Sequence, residues 1–449
     1  MQKAHNAIIM SMPTLELGAE QAAVFRLLNE TPHNHFITGK AGTGKSVLLQ
    51  YFVAHTLKNT AVVAPTGVAA INVGGQTIHS FFGLELDIQD VRDTEQVAKI
   101  TKRRKKIFEN LDTLVIDEIS MVSADVMDMI DHKLRIARGK DLPFGGCQVV
   151  VFGDLYQLPP VIVGETAKQY MRDHYGTTFF FGAPGVKQGE FQTIELSHIY
   201  RQNDDKFISL LNRIRLGHRT DDVLADINMS CIDAPADEPF ITLAATNAVA
   251  DNINHARLAE ISEPEYNFDG AITGDLAPSA LPTEMSLKLK VGALVMLTKN
   301  DIITETREKP RWVNGTLAVI SELSPDSIKV RIGDREHKIT KTTWEKCQYD
   351  YDEKTKTITK DVVGTFTQFP IKLAYAITIH KSQGQTYDAV KIDLARGAFA
   401  PGQVYVALSR CSSLNNLYLT RPLYSRDIIV SPAVVGFMEK AMTIDMDSL

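Results

Sequence analysis

Apolar and polar positions fall into two regimes along this chain. In the first half, short β-branched runs alternate with stretches of helical period: His35–Thr38, Ala61–Ala64, Thr113–Ile116 and Val149–Phe152. A strand covered on both faces has no solvent side, so it reads as one nearly continuous apolar run. Strands alternating with helices build βαβ units and a doubly wound parallel sheet. A second set follows at Thr193–Leu196, Ile241–Ala244, Val390–Leu394 and Asn416–Thr420, which puts a domain boundary near residue 193. From about 300 to 368 the period drops to two, with Ile328, Val330 and Ile332 alternating with Lys329 and Arg331. Turns at Pro325-Asp326 and Gly333-Asp334 complete the pattern of a small antiparallel β-module inserted into the second domain.

Composition narrows the class. A chain of 449 residues is too long for one compact core and predicts two to four domains. Hydrophobic residues at 44% and charged residues at 23% are those of a folded, water-facing protein. No apolar stretch is long enough to span a bilayer, and Met1–Pro13 lacks a basic-then-apolar signal pattern, so a cytoplasmic protein is expected. Cys147, Cys231, Cys347 and Cys411 are scattered, which argues against a zinc site or a disulfide framework. A net charge of −6 excludes a wholly basic nucleic-acid coat but leaves room for a local basic channel. No coiled-coil seam is visible, and a monomer is expected.

The chemistry begins at Gly39-Lys40-Ala41-Gly42-Thr43-Gly44-Lys45-Ser46, which fits GxxxxGK[ST] between a strand and a predicted helix, Ser46 to Leu57. The glycines let backbone N–H groups approach phosphate oxygens, and the helix N-terminus adds partial positive charge. Lys45 is placed to reach the β- and γ-phosphates of ATP, and Ser46 to ligate Mg²⁺. Asp117 and Glu118 end an apolar strand. Alone they read as a surface pair; with the loop upstream, Asp117 is assigned to the metal and Glu118 to the base that takes a proton from the attacking water. Gln21 opens an amphipathic helix before the loop. Its amide can donate to and accept from adenine, or it is an exposed helix glutamine; the residues alone do not choose.

Further segments follow in a fixed order: Ala64–Ala70 (APTGVAA), Thr77–Gly83 (TIHSFFG), Asp117–Met121 (DEISM), Gly153–Pro160 (GDLYQLPP), Tyr200–Gln202 (YRQ), Thr378–Gly384 (TIHKSQG) and Tyr405–Arg410 (YVALSR). The series resembles superfamily 1 helicases, and most of all the petite-integration-frequency family of 5′-to-3′ DNA helicases in a short, bacterial-looking form. Pro143-Phe144-Gly145-Gly146 is similar to that family's signature segment. The resemblance runs from about residue 15 to 425.

It implies an α/β fold of two RecA-like P-loop domains with a small wedge insertion and an SH3-like β insertion. The expected boundaries are 1–192 (wedge at 84–106) for the ATP-binding domain, 193–299 with 369–449 for the second, and 300–368 for the β-module. It implies a nucleotide set of Gln21, Gly39, Ala41, Gly42, Thr43, Gly44, Lys45, Ser46 and Gly384. Gln157 resembles the sensor of the γ-phosphate and hydrolytic water. Arg201 and Arg410 resemble arginine fingers, which raise phosphoryl-transfer rates by about 10³–10⁵. Thr66, His79, Asn247, His380 and Ser382 match positions lining a single-strand groove. Phe81 and Phe82 are either stacking platforms for bases or core, with Phe82 retained in the DNA set. Lys102–Lys106, the one dense basic run, is either a strand contact or a solvated helix face. The wedge segment is short and charged, with no aromatic tip. The implied partners are single-stranded, forked or quadruplex DNA, and the implied roles are replication, repair, recombination and telomere-like maintenance. An ATPase switch that clamps DNA without unwinding, and the motor subunit of a nuclease complex, are the competing readings.

Overall fold

The computed structural model describes residues 17–85, 87–200, 204–230, 240–277, 281–301 and 311–441. They form two compact units: 17–200 with 345–364 and 431–441, hereafter the N-terminal unit, and 204–344 with 365–430, the C-terminal unit.

The N-terminal unit is built on a six-stranded parallel sheet. Its strands are β1 (His35–Gly39), β2 (Thr60–Ala64), β3 (Gln76–Thr77), β4 (Thr113–Ile116), β5 (Gln148–Phe152) and β6 (Gln192–Leu196), in the order β3-β2-β4-β5-β1-β6. Strands β1, β4 and β5 are buried along their whole length, as their uninterrupted apolar sequences require. Leu48, Leu49 and Phe52, from the helix Lys45–His55, pack on Ile37, Val62, Val115 and Val150 to form the core of the sheet.

One strand moves relative to the sequence expectation. Thr193–Leu196 was placed in the second domain, but β6 pairs in register with β1 from His35↔Gln192 to Gly39↔Leu196. As an edge strand it keeps a half-exposed position at Glu195, so its sequence carries no mark of which sheet it joins.

The C-terminal unit holds a second parallel sheet: Ala376–Thr378, Ile241–Ala244, Val390–Asp393 and Leu417–Leu419, in that order. Its antiparallel sheet contains Leu294–Leu297, Leu317–Ser324, Ser327–Ile332, Arg335–Ile339 and Ile371–Leu373. The period-two reading holds here. Ile328 and Val330 are fully buried, and the two predicted turns join residues paired as Ser324↔Ser327 and Ile332↔Arg335. Gly333, at φ 54°, takes the left-handed position that such a tight turn demands.

The module departs from 300–368 in one respect. Thr342–Asp352 and Thr357–Gln368 form a long hairpin whose outer part, 345–364, belongs to the N-terminal unit. Tyr349 explains why. Its hydroxyl accepts from Val62 N–H at 2.9 Å, and its buried ring packs on Phe81 at 5.5 Å. A period-two pattern shows which residues of a strand are buried, not what buries them.

Candidate active site

In a parallel sheet all strands end on the same side, and loops leaving those ends share one surface. Gly39–Gly44 leaves β1 there, Asp117 and Glu118 leave β4, and Gly153–Gln157 leaves β5. The sheet brings together residues more than a hundred positions apart in sequence.

The loop is held open by its glycines. Gly42 and Gly44 sit at φ 87° and 77°, and Gly44 caps the helix that Lys45 begins. Thr43 is buried, and its hydroxyl donates to Lys40 O at 2.9 Å. The Lys45 ammonium lies inside the loop, donating to Gly39 O at 2.7 Å and Lys40 O at 3.0 Å. Ala41 is buried, while Ser46 presents an exposed hydroxyl at the start of the helix.

Gln21 is settled by geometry. It is 3% exposed, not a surface glutamine. Its Oε1 accepts from Gly18 N–H at 3.2 Å and its Nε2 donates to Gly44 O at 3.2 Å, tying the start of helix Ala19–Glu30 to the loop. Tyr200, which has no role of its own in the sequence reading, joins them. Its N–H donates to Gly42 O at 2.8 Å and its exposed ring flanks Gly44. An exposed aromatic just past a strand of the nucleotide sheet was the signal available.

Asp117 is held by its N–H on Val63 O at 2.9 Å. Burial, then the charge of Glu118, push its carboxyl up to about 7, against the pull of Lys45. Two crowded carboxylates beside a phosphate loop are a donor set that a divalent cation would relieve, and Mg²⁺ fits their oxygen chemistry. Glu118 itself sits at φ 50°, ψ 46°, a left-handed conformation that a glutamate adopts at a cost. Gln157 is buried, its N–H donating to Asp154 O at 2.9 Å. Asp154 is 1% exposed and also accepts from Tyr156 N–H, so a buried aspartate shapes the turn that carries the glutamine.

The nucleic-acid residues divide. In the N-terminal unit, Thr66 caps helix Gly67–Asn72 by accepting from Ala69 N–H at 3.2 Å, and His79 is half-buried. In the C-terminal unit, Asn247 is exposed at the first turn of helix Asn247–Ala259. Thr246, missed from sequence, caps that helix through Val249 N–H, the same geometry as Thr66 at the end of an equivalent strand. His79 and His380 are both pushed toward the neutral imidazole by burial, so each offers a hydrogen bond rather than a charge.

Two assignments are corrected. Phe82 is fully buried, stacked on Phe108 at 5.1 Å and edge-on to Phe81 at 5.0 Å; it is core and has no face for a base. Ser382 is also fully buried, its hydroxyl donating to Ile379 O at 2.8 Å, so it shapes its turn from within. Gly384, at φ 79°, is exposed in the same turn. Arg410 is 1% exposed and braces that turn: Nη1 donates to Gln385 O at 3.1 Å and Ser382 O at 3.4 Å, Nε to Val406 O at 3.0 Å, and Nη2 to Ser409 Oγ at 2.8 Å. Arg201 lies outside the described residues.

The basic run has partners inside its own unit. It opens helix Lys102–Asn110, where Arg104 donates to Phe81 O and Ser80 O. Arg103 binds Gln348 and lies 3.5 Å from Asp350, and Lys106 pairs with Glu353. The signature segment Pro143–Gly146 precedes β5, at the edge of the sheet opposite the phosphate loop. Phe144 is buried, its N–H held by Asp131 at 2.5 Å, which makes the segment structural.

A parallel sheet that gathers phosphate-facing amides, a lysine and crowded carboxylates at one edge is the frame of a P-loop nucleoside triphosphatase. Known proteins of the same build narrow that class. The model of the PIF1-like helicase family matches residues 16–223. The chain is 34% identical, over 96% of its length and 94% of the other's, to the ATP-dependent DNA helicase Pif1 of Bdellovibrio bacteriovorus. It is 33% identical over 91% of its length to the human ATP-dependent DNA helicase PIF1, of which it spans 62%. Among solved structures, Pif1 from Bacteroides in complex with ADP-AlF4 superposes with a TM-score of 0.86 at 37% identity, covering 94% of this chain and 96% of that one. The same protein bound to single-stranded DNA gives 0.67 at 36% identity, covering 94% and 96%. The chain belongs to the PIF1-like helicase family, and it is an ATP-dependent DNA helicase. Among the described residues, no helix is long and apolar enough to cross a membrane.

Proposed function

We propose that this helicase translocates 5′-to-3′ on single-stranded DNA and separates the strands of forked duplexes as ATP is hydrolysed. The observation that carries the reading is the Lys45 ammonium lodged on the carbonyls of Gly39 and Lys40, with Asp117 and Glu118 at the same sheet edge. An ammonium held by two neutral carbonyls gains by exchanging them for phosphate oxygens, so arriving nucleotide draws Lys45 out. Gln21 and Tyr200, gathered at Gly44, receive the base. Glu118 takes the proton of the attacking water, and Gln157 orients that water. Mg²⁺, held by Ser46 and Asp117, would neutralise phosphate charge when bound. Thr66, His79, Thr246, Asn247 and His380 bind the strand. Supporting this, solved Bacteroides Pif1 structures are in complex with ADP-AlF4 and bound to single-stranded DNA, and a further Pif1 structure is described as the basis for unwinding at forked duplex DNA by two coordinating helicases. Arg201 is assigned directly to turnover and Arg410 to it only through the turn it braces: Arg201→Ala lowers kcat with ATP affinity retained, and normal turnover in that variant removes its role. Action as a monomer, activity on quadruplexes and a nucleoid-associated location belong to the same reading.

The test is a labelled duplex with either a 5′ or a 3′ single-stranded tail, with ATP and Mg²⁺. Release from the 5′-tailed duplex alone is expected. Release from the 3′ tail alone overturns the polarity. No release from either, with DNA-stimulated hydrolysis intact, makes the protein a clamp that depends on a partner to unwind.

A further inference from the structure

Helix Ala19–Glu30 opens with two polar side chains, Glu20 and Gln21, and only Gln21 has a place in the site above. Successive side chains on a helix diverge by about 100°, so neighbours can reach two separate segments. Gln21 takes the phosphate loop through Gly44 O. Glu20 takes the chain that leaves β6. Its Oε1 accepts from Ser197 N–H at 2.8 Å and from Ser197 Oγ at 3.0 Å, and its Oε2 accepts from His198 N–H at 3.4 Å. All of these residues lie in the N-terminal unit.

The two amides need an acceptor from outside the sheet. The ladder between β1 and β6 closes at Gly39↔Leu196, so Ser197 has left it. The chain then runs beside the phosphate loop until Tyr200 N–H meets Gly42 O at 2.8 Å. Glu20 anchors the start of this short strap, and Gly42 anchors its end. Bonds to a carboxylate are the stronger kind, and two of the three here go to backbone, which fixes the course of the chain.

The strap carries the Tyr200 ring. Its hydroxyl end lies over Gly18 and one ring edge over Gly44, at positions that leave no room for a side chain at Gly18. The His198 imidazole stands edge-on to the ring, with centroids 4.4 Å apart and planes at 73°. Glu20 thus holds the backbone of the residue that flanks the ring. As a support for the fold this is modest, because Ser197 and His198 are exposed and water serves exposed amides equally well. Water does not hold them in one direction.

We propose that Glu20 is a positioning residue for the nucleotide: by holding Ser197 and His198 it aims the Tyr200 ring at the base, without itself touching the nucleotide. The inference rests on the reading that Gln21 and Tyr200 receive the base.

The experiment is calorimetric titration of the full chain with ADP and, separately, with inorganic pyrophosphate, both with Mg²⁺. Pyrophosphate meets the phosphate loop but offers the ring no base. E20A is expected to weaken ADP binding by about 10-fold and to leave pyrophosphate binding unchanged. E20Q is expected to stay close to wild type, because its amide oxygen still accepts from Ser197. Y200A is expected to weaken ADP binding at least as much as E20A. The double variant is expected to bind ADP no more weakly than Y200A alone, since the carboxylate then has nothing to aim. Unchanged ADP affinity in E20A overturns the proposal. Equal losses for ADP and pyrophosphate overturn it as well, because Glu20 is then a brace of the phosphate loop, and so do additive losses in the double variant. Unchanged ADP affinity in Y200A instead overturns the reading of the base site beneath it.

Discussion

Two turns in this molecule are built alike, each with a cation inside a loop at the end of a parallel strand. After β1, the Lys45 ammonium donates to Gly39 O and Lys40 O. After Ala376–Thr378, the Arg410 guanidinium donates to Ser382 O and Gln385 O. The difference lies in what else holds the cation. Lys45 is half-buried, on a flexible stem with a point charge that can change acceptors by rotating. Arg410 is 1% exposed, with further bonds to Val406 and Ser409 that fix its plane. The first geometry suits a charge that must leave its loop when phosphate arrives. The second suits one that keeps its loop in shape.

Breaking each turn should therefore fail differently. Lys45→Ala is expected to cut ATP hydrolysis by about 10²–10³-fold or more while unfolding midpoint and strand affinity stay near wild type. Phosphate release and anisotropy measure both, and a variant that hydrolyses normally ends the exchange model. Arg410→Ala is expected to act first on the fold, costing about 2–4 kcal/mol in urea unfolding, because it opens a cavity and leaves carbonyls unpaired. Arg410→Lys should recover less than half of that; full recovery would mean that charge, not the planar fork, does the bracing.

Asp117 sharpens the contrast through pH. Its folded value of about 7 lies above the unfolded 3.8, so its contribution is fully present below pH 4 and lost as pH rises through 7. Metal-free protein should be weaker at pH 8 than at pH 6, and Mg²⁺ should stabilise it more at pH 8. Asp117→Asn should remove that slope, gaining about 2 kcal/mol at pH 8, and abolish hydrolysis. Equal Mg²⁺ stabilisation in wild type and variant would remove Asp117 from the metal set. The smallest effect is expected from the glycines. Gly44→Ala and Gly384→Ala each place a side chain at positive φ, at about 1 kcal/mol. Gly44→Ala also strikes Gln21 Nε2, so it should weaken ATP binding in a nucleotide titration as well.

The sequence made loops legible before it made faces legible. The phosphate loop and the Asp117-Glu118 pair could be read because their chemistry is backbone geometry and charge at fixed spacing. Phe82 and Ser382 could not, because a motif names a loop while burial decides which of its side chains reaches a ligand. Thr246 carries no signal in the sequence for a different reason: it caps its helix as Thr66 does, and a capping threonine looks the same at a ligand surface as anywhere else. Fold misreadings have the same origin. β6 and the outer hairpin each show a correct strand pattern, and neither pattern says which sheet or unit receives it.

Tyr349 has a consequence for how the N-terminal unit avoids sticking to other chains. β3 is only two residues long, so β2 is nearly an edge strand, and edge strands recruit foreign strands through open amides. The Tyr349 hydroxyl occupies Val62 N–H and reaches back to Val62 O at 3.4 Å. One phenol thus occupies the amide that short β3 leaves uncovered, and the helicase carries its guard against misassembly on a hairpin distant in sequence from the strand it protects.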